Sequence, residues 1–186
     1  MLEHDFLLIA VSADKGADEF FKKFKREIDL ATKGKALVMK ASLPDDGAIM
    51  VQIYPKSEVF TQLTLETMPA LVAHITQNAD TSSLVTKNEL YIDDLATLLR
   101  ANMHFTEQNI CGKCYPCRLG GPLIDQLLAS YQTDAPVNVT QIVNQLQDVG
   151  ISMKSASMCA IGIFGADPLL FAMEKWPTYF STHQGA

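Results

Sequence analysis

The apolar positions of this chain fall in short continuous runs over its first half and at helical intervals over its second. Residues 6–11 (Phe-Leu-Leu-Ile-Ala-Val) form an unbroken apolar run closed by Ser12, Asp14 and Gly16, which predicts a buried strand ending in a turn. Over residues 19–30 the period changes. Phe20, Phe21, Phe24 and Ile28 recur at helical spacing with lysines on the other face, predicting an amphipathic core helix capped at Asp18 and stopped near Gly34. Apolar runs at 36–39, 49–54 and 59–63 predict three more strands, the last two a hairpin pair, and residues 42–47 (Ser-Leu-Pro-Asp-Asp-Gly) a loop. A helix starting at Thr64 or Thr67, with Pro69 in or near its first turn, then carries Leu71, Val72 and Ile75 to about Thr76. Strand, helix, three strands and helix make an α/β sandwich.

Residues 77–87 are small and polar and predict a linker between a first domain, 1–76, and a second, 88–186. Beyond the linker strand signals largely disappear. Asn88 is placed to cap a helix to Arg100 on Leu90, Leu95, Leu98 and Leu99, and a second runs from Gly121 or Pro122 to Tyr131 on Leu123, Ile124, Leu127 and Leu128. Thr140 caps a third on Ile142, Val143 and Leu146, ending at Gly150. Asp167 and Pro168 start a last one carrying Leu169, Leu170, Met173 and Trp176. The second domain is expected to be an all-α bundle of about four helices.

With 186 residues, 48% of them hydrophobic, the chain has material for a real core in one full domain or two small ones. Its formal charge of -6 and lack of a clustered basic surface exclude a sequence-independent nucleic-acid binder. The densest basic run, Lys22, Lys23, Lys25 and Arg26, is interleaved with Glu19, Glu27 and Asp29 and reads as a solvated helix face. The first residues carry no cationic stretch ahead of 6–11, and no apolar run approaches the roughly 18 residues that span a bilayer. The expected location is therefore cytoplasmic, with any membrane association supplied by partner subunits. In a reducing compartment, cysteines point to metal ligation or redox chemistry rather than disulfides.

The candidate chemistry lies in Cys111-Gly112-Lys113-Cys114-Tyr115-Pro116-Cys117-Arg118, three cysteines at intervals of three, with 41 residues separating Cys117 from the fourth and last cysteine, Cys159. Three thiolates on a regular helix drift around its axis, so this run is expected to be an irregular loop, with Gly112 permitting unusual dihedrals and Pro116 keeping a helix out of it. Three thiolates from one loop and one from afar match 4Fe–4S ligation. Structural zinc more often draws two Cys-x2-Cys pairs, and a thiol or disulfide role is the third alternative. Lys113 and Arg118 are placed to stabilise a negatively charged cluster or are ordinary solvent-exposed charges. Four cysteine ligands leave no open iron position, which favours one-electron transfer over Lewis-acid chemistry. No dinucleotide fingerprint, phosphate loop or serine elbow occurs; Gly120-Gly121 and 162–165 are too sparse to cradle a nucleotide. His74 and the pairs Asp45-Asp46 and Asp93-Asp94 have no ligand or catalytic partner nearby in sequence.

Residues 109–120 (Asn-Ile-Cys-Gly-Lys-Cys-Tyr-Pro-Cys-Arg-Leu-Gly) and 158–162 (Met-Cys-Ala-Ile-Gly), followed by a closing helix, resemble the carboxy-terminal iron–sulfur domain of the NADH-binding flavoprotein subunit of respiratory complex I and of the related subunits of NAD-linked hydrogenases and formate dehydrogenases. The resemblance covers roughly 88–183. It implies that Cys111, Cys114, Cys117 and Cys159 bind a 4Fe–4S cluster that passes electrons from flavin toward other clusters. More weakly, residues 6–76, particularly 51–55 and the helix after Thr64, resemble the thioredoxin-like 2Fe–2S ferredoxin that accompanies these flavoproteins. That family's cluster needs four cysteines and this half has none, with Ser12, Asp14, Ser42 and Asp46 in the loops concerned. The fold class so implied is an α/β thioredoxin-like amino-terminal domain without cluster ligands plus an all-α carboxy-terminal helical bundle carrying an iron–sulfur cluster.

Family flavoproteins place a long flavin- and NADH-binding region ahead of the iron–sulfur domain, where this chain has only the short linker, so it is expected to bind neither. The expected function is that of a non-catalytic electron-transfer subunit. One 4Fe–4S cluster would relay electrons inside a multisubunit oxidoreductase (a hydrogenase, a formate dehydrogenase or a complex I-like assembly), among iron–sulfur or flavin-containing partner subunits. The alternative is a zinc-stabilised structural or assembly adaptor of such a complex. A thiol sensor ranks last, because the first half has no Cys-x2-Cys pair. The aromatic and Met-rich end (Phe164, Phe171, Met173, Trp176, Tyr179, Phe180) is expected to be core, with a partner-facing apolar patch as a second reading.

Overall fold

A computed structural model describes residues 6–12, 16–43, 47–87, 92, 94–133 and 138–182. The chain divides into two compact units, Met1–Asp93 and Asp94–Ala186.

The first unit is built on a sheet. Strand β1 (Leu7–Ser12) leads through helix α1 (Ala17–Thr32) to β2 (Ala36–Ala41), followed by β3 (Ile49–Tyr54), β4 (Glu58–Leu63), helix α2 (Met68–Gln77) and β5 (Val85–Thr86). The strand order is β2-β1-β3-β4-β5. The β1–β2 pair is parallel, with Ile9 opposite Val38, as a helical crossover requires. β1–β3 and β3–β4 are antiparallel, with Ile9 opposite Ile53 and Val51 opposite Phe60. β1 is an interior strand between β2 and β3, which explains its unbroken apolar run: Leu8 to Val11 are all fully buried.

The lysine-free face of α1 packs Phe20, Phe24 and Ile28 with Val11, Val38, Ile53, Phe60, Leu71 and Ile75 in one core, the Phe20 and Phe24 rings stacking at 5.4 Å. α1 starts one residue before the expected cap: Gly16, in the left-handed region, caps it, and the Asp18 carboxylate instead meets Lys40. His74 is a structural residue. Its ring sits between the Glu58 carboxylate (Nε2–Oε2 3.0 Å) and the Ala79 carbonyl (Nδ1–O 3.0 Å). Ser12 accepts a hydrogen bond from the Met50 backbone N–H at 3.0 Å, which binds the end of β1 to β3.

The second unit is helical: α3 (Leu95–Asn109), α4 (Tyr115–Tyr131), α5 (Val139–Ala156), α6 (Ala160–Gly165), α7 (Asp167–Lys175) and α8 (Pro177–Thr182). Leu98, Leu99, Ile124, Leu128, Leu146, Met153 and Leu169 are buried to 8% exposure or less. Where α4 passes α3 and α5 it presents Gly120 toward Met153 and Gly121 toward Glu107, which is why two adjacent glycines sit inside a helix. Asp94 caps α3, its Oδ2 accepting from Thr97 N at 2.9 Å and from Gln132 Nε2 at 2.6 Å. Its Oδ1 accepts from the Tyr179 hydroxyl at 2.5 Å, and the Tyr131 hydroxyl donates to the Tyr179 carbonyl at 2.5 Å. One buried polar network thus ties the start of α3 to the end of α4 and to α8. Arg100 and Asp125 add an α3–α4 ion pair at 2.9 Å.

These observations correct the expected fold class. The described residues form a mixed α/β protein with one five-stranded sheet and eight helices, not a thioredoxin-like domain plus an all-α bundle. The stretch expected to be a linker supplies β5, which pairs with β4 through Phe60 opposite Thr86 although both β5 side chains face solvent. Backbone pairing at a sheet edge makes little demand on side-chain polarity, so a polar composition hid it. Helix limits also move: α3 starts at Leu95 and runs past Arg100, and α5 passes through Gly150, because packing against neighbours outweighs single weak helix formers. The expected caps at Asn88 and the loop residues Asp14, Asp45, Asp46 and Asp93 lie outside the described residues.

Removing the largest wholly buried side chain of α1 tests this core. Phe24→Ala is expected to cost about 3–5 kcal/mol, read as a lower urea midpoint of the sheet unit's unfolding. An unchanged midpoint would place Phe24 outside the core.

Candidate metal centre

The first three cysteines lie at the α3–α4 junction. Ile110 closes α3 in an extended conformation, Gly112 takes a left-handed φ of 72°, and Cys114 is the N-cap of α4 (φ −87°, ψ 126°). Pro116 occupies the first turn of α4, where a missing N–H breaks no hydrogen bond. The expectation that Pro116 keeps the helix out of the cysteine run is therefore corrected. α4 begins at Tyr115, so Cys117 stands in its first turn, buried, and the Arg118 N–H donates to the Cys114 carbonyl at 2.9 Å. Cys111 is exposed and Cys114 half-buried.

The fourth cysteine comes from the α5–α6 junction. Ser157 caps α5, and Cys159 (φ −137°, ψ 164°) caps α6, its backbone carbonyl accepting from the Ile163 N–H at 3.0 Å. The Met158 backbone N–H donates to Cys114 Sγ at 3.4 Å, joining the two junctions directly. Gly162 completes the contact: a Cβ there would stand 3.1 Å from Cys117 Cβ and 2.5 Å from both Ser157 Cβ and Oγ. Glycine is needed here for the close approach. All four thiols are free of disulfides.

The electrostatics record the same grouping. Burial pushes the Cys117 thiol above its usual range, and the neighbouring Cys159, Cys114 and Cys111 push it further in that order. Cys114 and Cys159 are the N-caps of α4 and α6, and Cys117 stands in the first turn of α4. Lys113 and Arg118 are exposed, and the Arg118 guanidinium lies 5.8 Å from the Tyr115 ring centre.

Among the described residues no three Cys, His, Asp or Glu side chains close around one point as a ready-made ion site. A structural zinc binds its sulfurs at about 2.3 Å, whereas a four-iron cluster takes one thiolate per iron. The donor set, soft sulfur throughout, suits a cluster. So does the Ser157 hydroxyl, which is buried beside Cys117 with no hydrogen-bond partner and is a donor awaiting an acceptor. When bound, a 4Fe–4S cluster supplies one-electron chemistry. Ser157 escaped the sequence reading, and Met158 entered it only within the motif at 158–162, with no role assigned. Only their position just ahead of Cys159 hinted at a role, and nothing in one dimension shows a hydroxyl to be buried.

Residues 97–183 match the family model of the NADH-ubiquinone oxidoreductase-F iron-sulfur binding region. The NADH-quinone oxidoreductase subunits F of Mycobacterium bovis and Mycobacterium tuberculosis are each 28% identical over 105 residues, and that of Streptomyces coelicolor 29%. Each match covers 55% of this chain and 23% of the relative, so the chain spans about a quarter of the length of the curated relatives it matches. The resemblance drawn from 109–120 and 158–162 to the iron–sulfur domain of the complex I flavoprotein subunit is borne out. The cofactor chemistry of this region is iron–sulfur, a 4Fe–4S cluster.

Two variants probe the geometry. Gly162→Ala drives a methyl into Ser157 and Cys117, so iron and sulfide retained after anaerobic reconstitution should fall several-fold while the helical circular dichroism persists. Undiminished iron content would show that the approach is loose. The second concerns Glu107, whose Oε1 is buried without a partner; burial chiefly raises its pKa above the ordinary 4.5, Asp125 adds to this, and His104 opposes it. Such a carboxyl contributes stability that is complete below about pH 4.5 and lost as pH climbs through the raised folded value. Glu107→Gln should therefore raise the melting temperature at pH 7 by a few degrees, equivalent to about 1 kcal/mol, with the gain vanishing near pH 4. A gain independent of pH would rule out this titration.

Proposed function

We propose that this chain is an electron-transfer subunit in which Cys111, Cys114, Cys117 and Cys159 hold one 4Fe–4S cluster, relaying electrons between other subunits of a multisubunit oxidoreductase and binding neither NADH nor flavin itself. The carrying observation is the meeting of the two cysteine-bearing junctions, Met158 N–H on Cys114 Sγ and Gly162 against Cys117. The match over 97–183 supports iron–sulfur electron transfer in an oxidoreductase. A complex I-like assembly is the parent favoured by the relatives' names; hydrogenase and formate dehydrogenase remain within the proposal.

The surface around the centre supports partners. Tyr115, Leu119, Met158 and Phe164 are exposed large apolar side chains flanking the cysteines, Met158 at 87% exposure. A subunit docked over them would exclude water from exposed Cys111 and Cys159 and shorten the path for an electron. Membrane association, if the parent complex has it, would pass through such partners, since no helix among the described residues is long and apolar enough to cross a bilayer. The amino-terminal sheet unit lacks cysteine altogether and is proposed to serve assembly rather than electron flow.

The reading is tested on anaerobically purified full-length chain. It should be brown, carry about four irons and four sulfides, and give an EPR signal on reduction, while Cys117→Ala or Cys159→Ala abolishes that signal. A colourless protein with one zinc per chain would overturn it in favour of a zinc-stabilised adaptor.

A further inference from the structure

We infer that the Ser157 hydroxyl donates a hydrogen bond to the sulfur shell of the cluster at the Cys117 thiolate and thereby sets the centre's reduction potential. This rests on the ligand set proposed above. Ser157 Oγ is buried and has no hydrogen-bond partner, although a buried hydroxyl is ordinarily paired. Its location is defined by Gly162: Ser157 Oγ lies 2.5 Å, and Cys117 Cβ 3.1 Å, from the same point, where a Cβ at 162 would stand. Ser157 Oγ and Cys117 Cβ are therefore no farther apart than those two distances together.

Backbone contacts hold the serine there. Its N–H donates to the Met153 carbonyl at 3.2 Å, ending α5, and the next residue's N–H is committed to Cys114 Sγ at 3.4 Å. The hydroxyl alone remains to be satisfied, and it rotates to suit its acceptor. Iron-bound thiolate sulfur is such an acceptor, with more charge when the cluster is reduced. A donor at that sulfur therefore favours the reduced form and raises the potential. The Met158 N–H does the same for Cys114, so each junction cysteine facing the α5–α6 turn receives one donor from it.

A serine that only fills space would be replaced by alanine without electronic effect. The test is an EPR-monitored redox titration of the reconstituted full chain as wild type, Ser157→Ala and Ser157→Thr. Loss of one neutral hydrogen bond should shift the reduced-to-oxidised equilibrium of Ser157→Ala about three- to tenfold toward oxidised, a potential lower by up to about 59 mV, and Ser157→Thr should return close to wild type. Cluster lost from Ser157→Ala but held at the wild-type potential in Ser157→Thr also counts for the donor. An alanine variant with a full cluster at the wild-type potential overturns it, as do equal shifts in both variants or loss of the cluster from both. A wild-type chain that takes up no cluster overturns the ligand set as well, and the wild-type titration alone reveals that case.

Discussion

Cys117 has to sit in the first turn of α4 with the α5–α6 turn pressed against it, and most of the helical unit can be understood from that requirement. The approach is limited by what stands at position 162, where only a hydrogen fits between Cys117 and Ser157. It also needs α5 to end at a fixed height, so that Met158 rather than a neighbour offers its N–H to Cys114. α5 is held there by Met153 and Leu146 in the core and by the closeness of Met153 to Gly120 on α4. The register between α4 and α5 thus sets the spacing of thiols whose sequence positions lie far apart.

Burial above all, and then the three other cysteines, raise the Cys117 thiol's pKa above its usual range. Packing remote from the site holds the rest of the helical unit. The Asp94, Gln132, Tyr131 and Tyr179 network fixes the far end of the α3–α4 pair, and Arg100 with Asp125 fixes its middle. The cysteine end is thereby left free to be shaped by its ligand. The sheet unit is organised differently, around phenylalanines of α1 and the buried interior strand β1, and it holds polar structural pairs such as His74 with Glu58.

Much of this was legible along the chain. Runs of apolar residues placed β1 to β4 closely, because a strand in the middle of a sheet must be apolar on both faces, and the α1 face could be read from its phenylalanines. The spacing of Cys111, Cys114, Cys117 and Cys159 pointed to iron–sulfur chemistry, since few arrangements put three thiols at such intervals with a fourth afar, and these four remain the proposed ligands. The fold class was not legible as expected. β5 joins by backbone hydrogen bonds that leave its composition free, and the helix boundaries depend on neighbours rather than on propensity.

The local sequence by itself determined which atoms are available: four sulfurs, the glycine that permits a left-handed turn between the first two, and the proline that opens α4. Only the tertiary structure decided which thiol is buried, which backbone N–H reaches a sulfur, and that the Ser157 hydroxyl is left unpaired beside Cys117. Those properties arise where α4, α5 and α6 come within contact distance, and contact between segments some forty residues apart is a consequence of packing that no local pattern encodes.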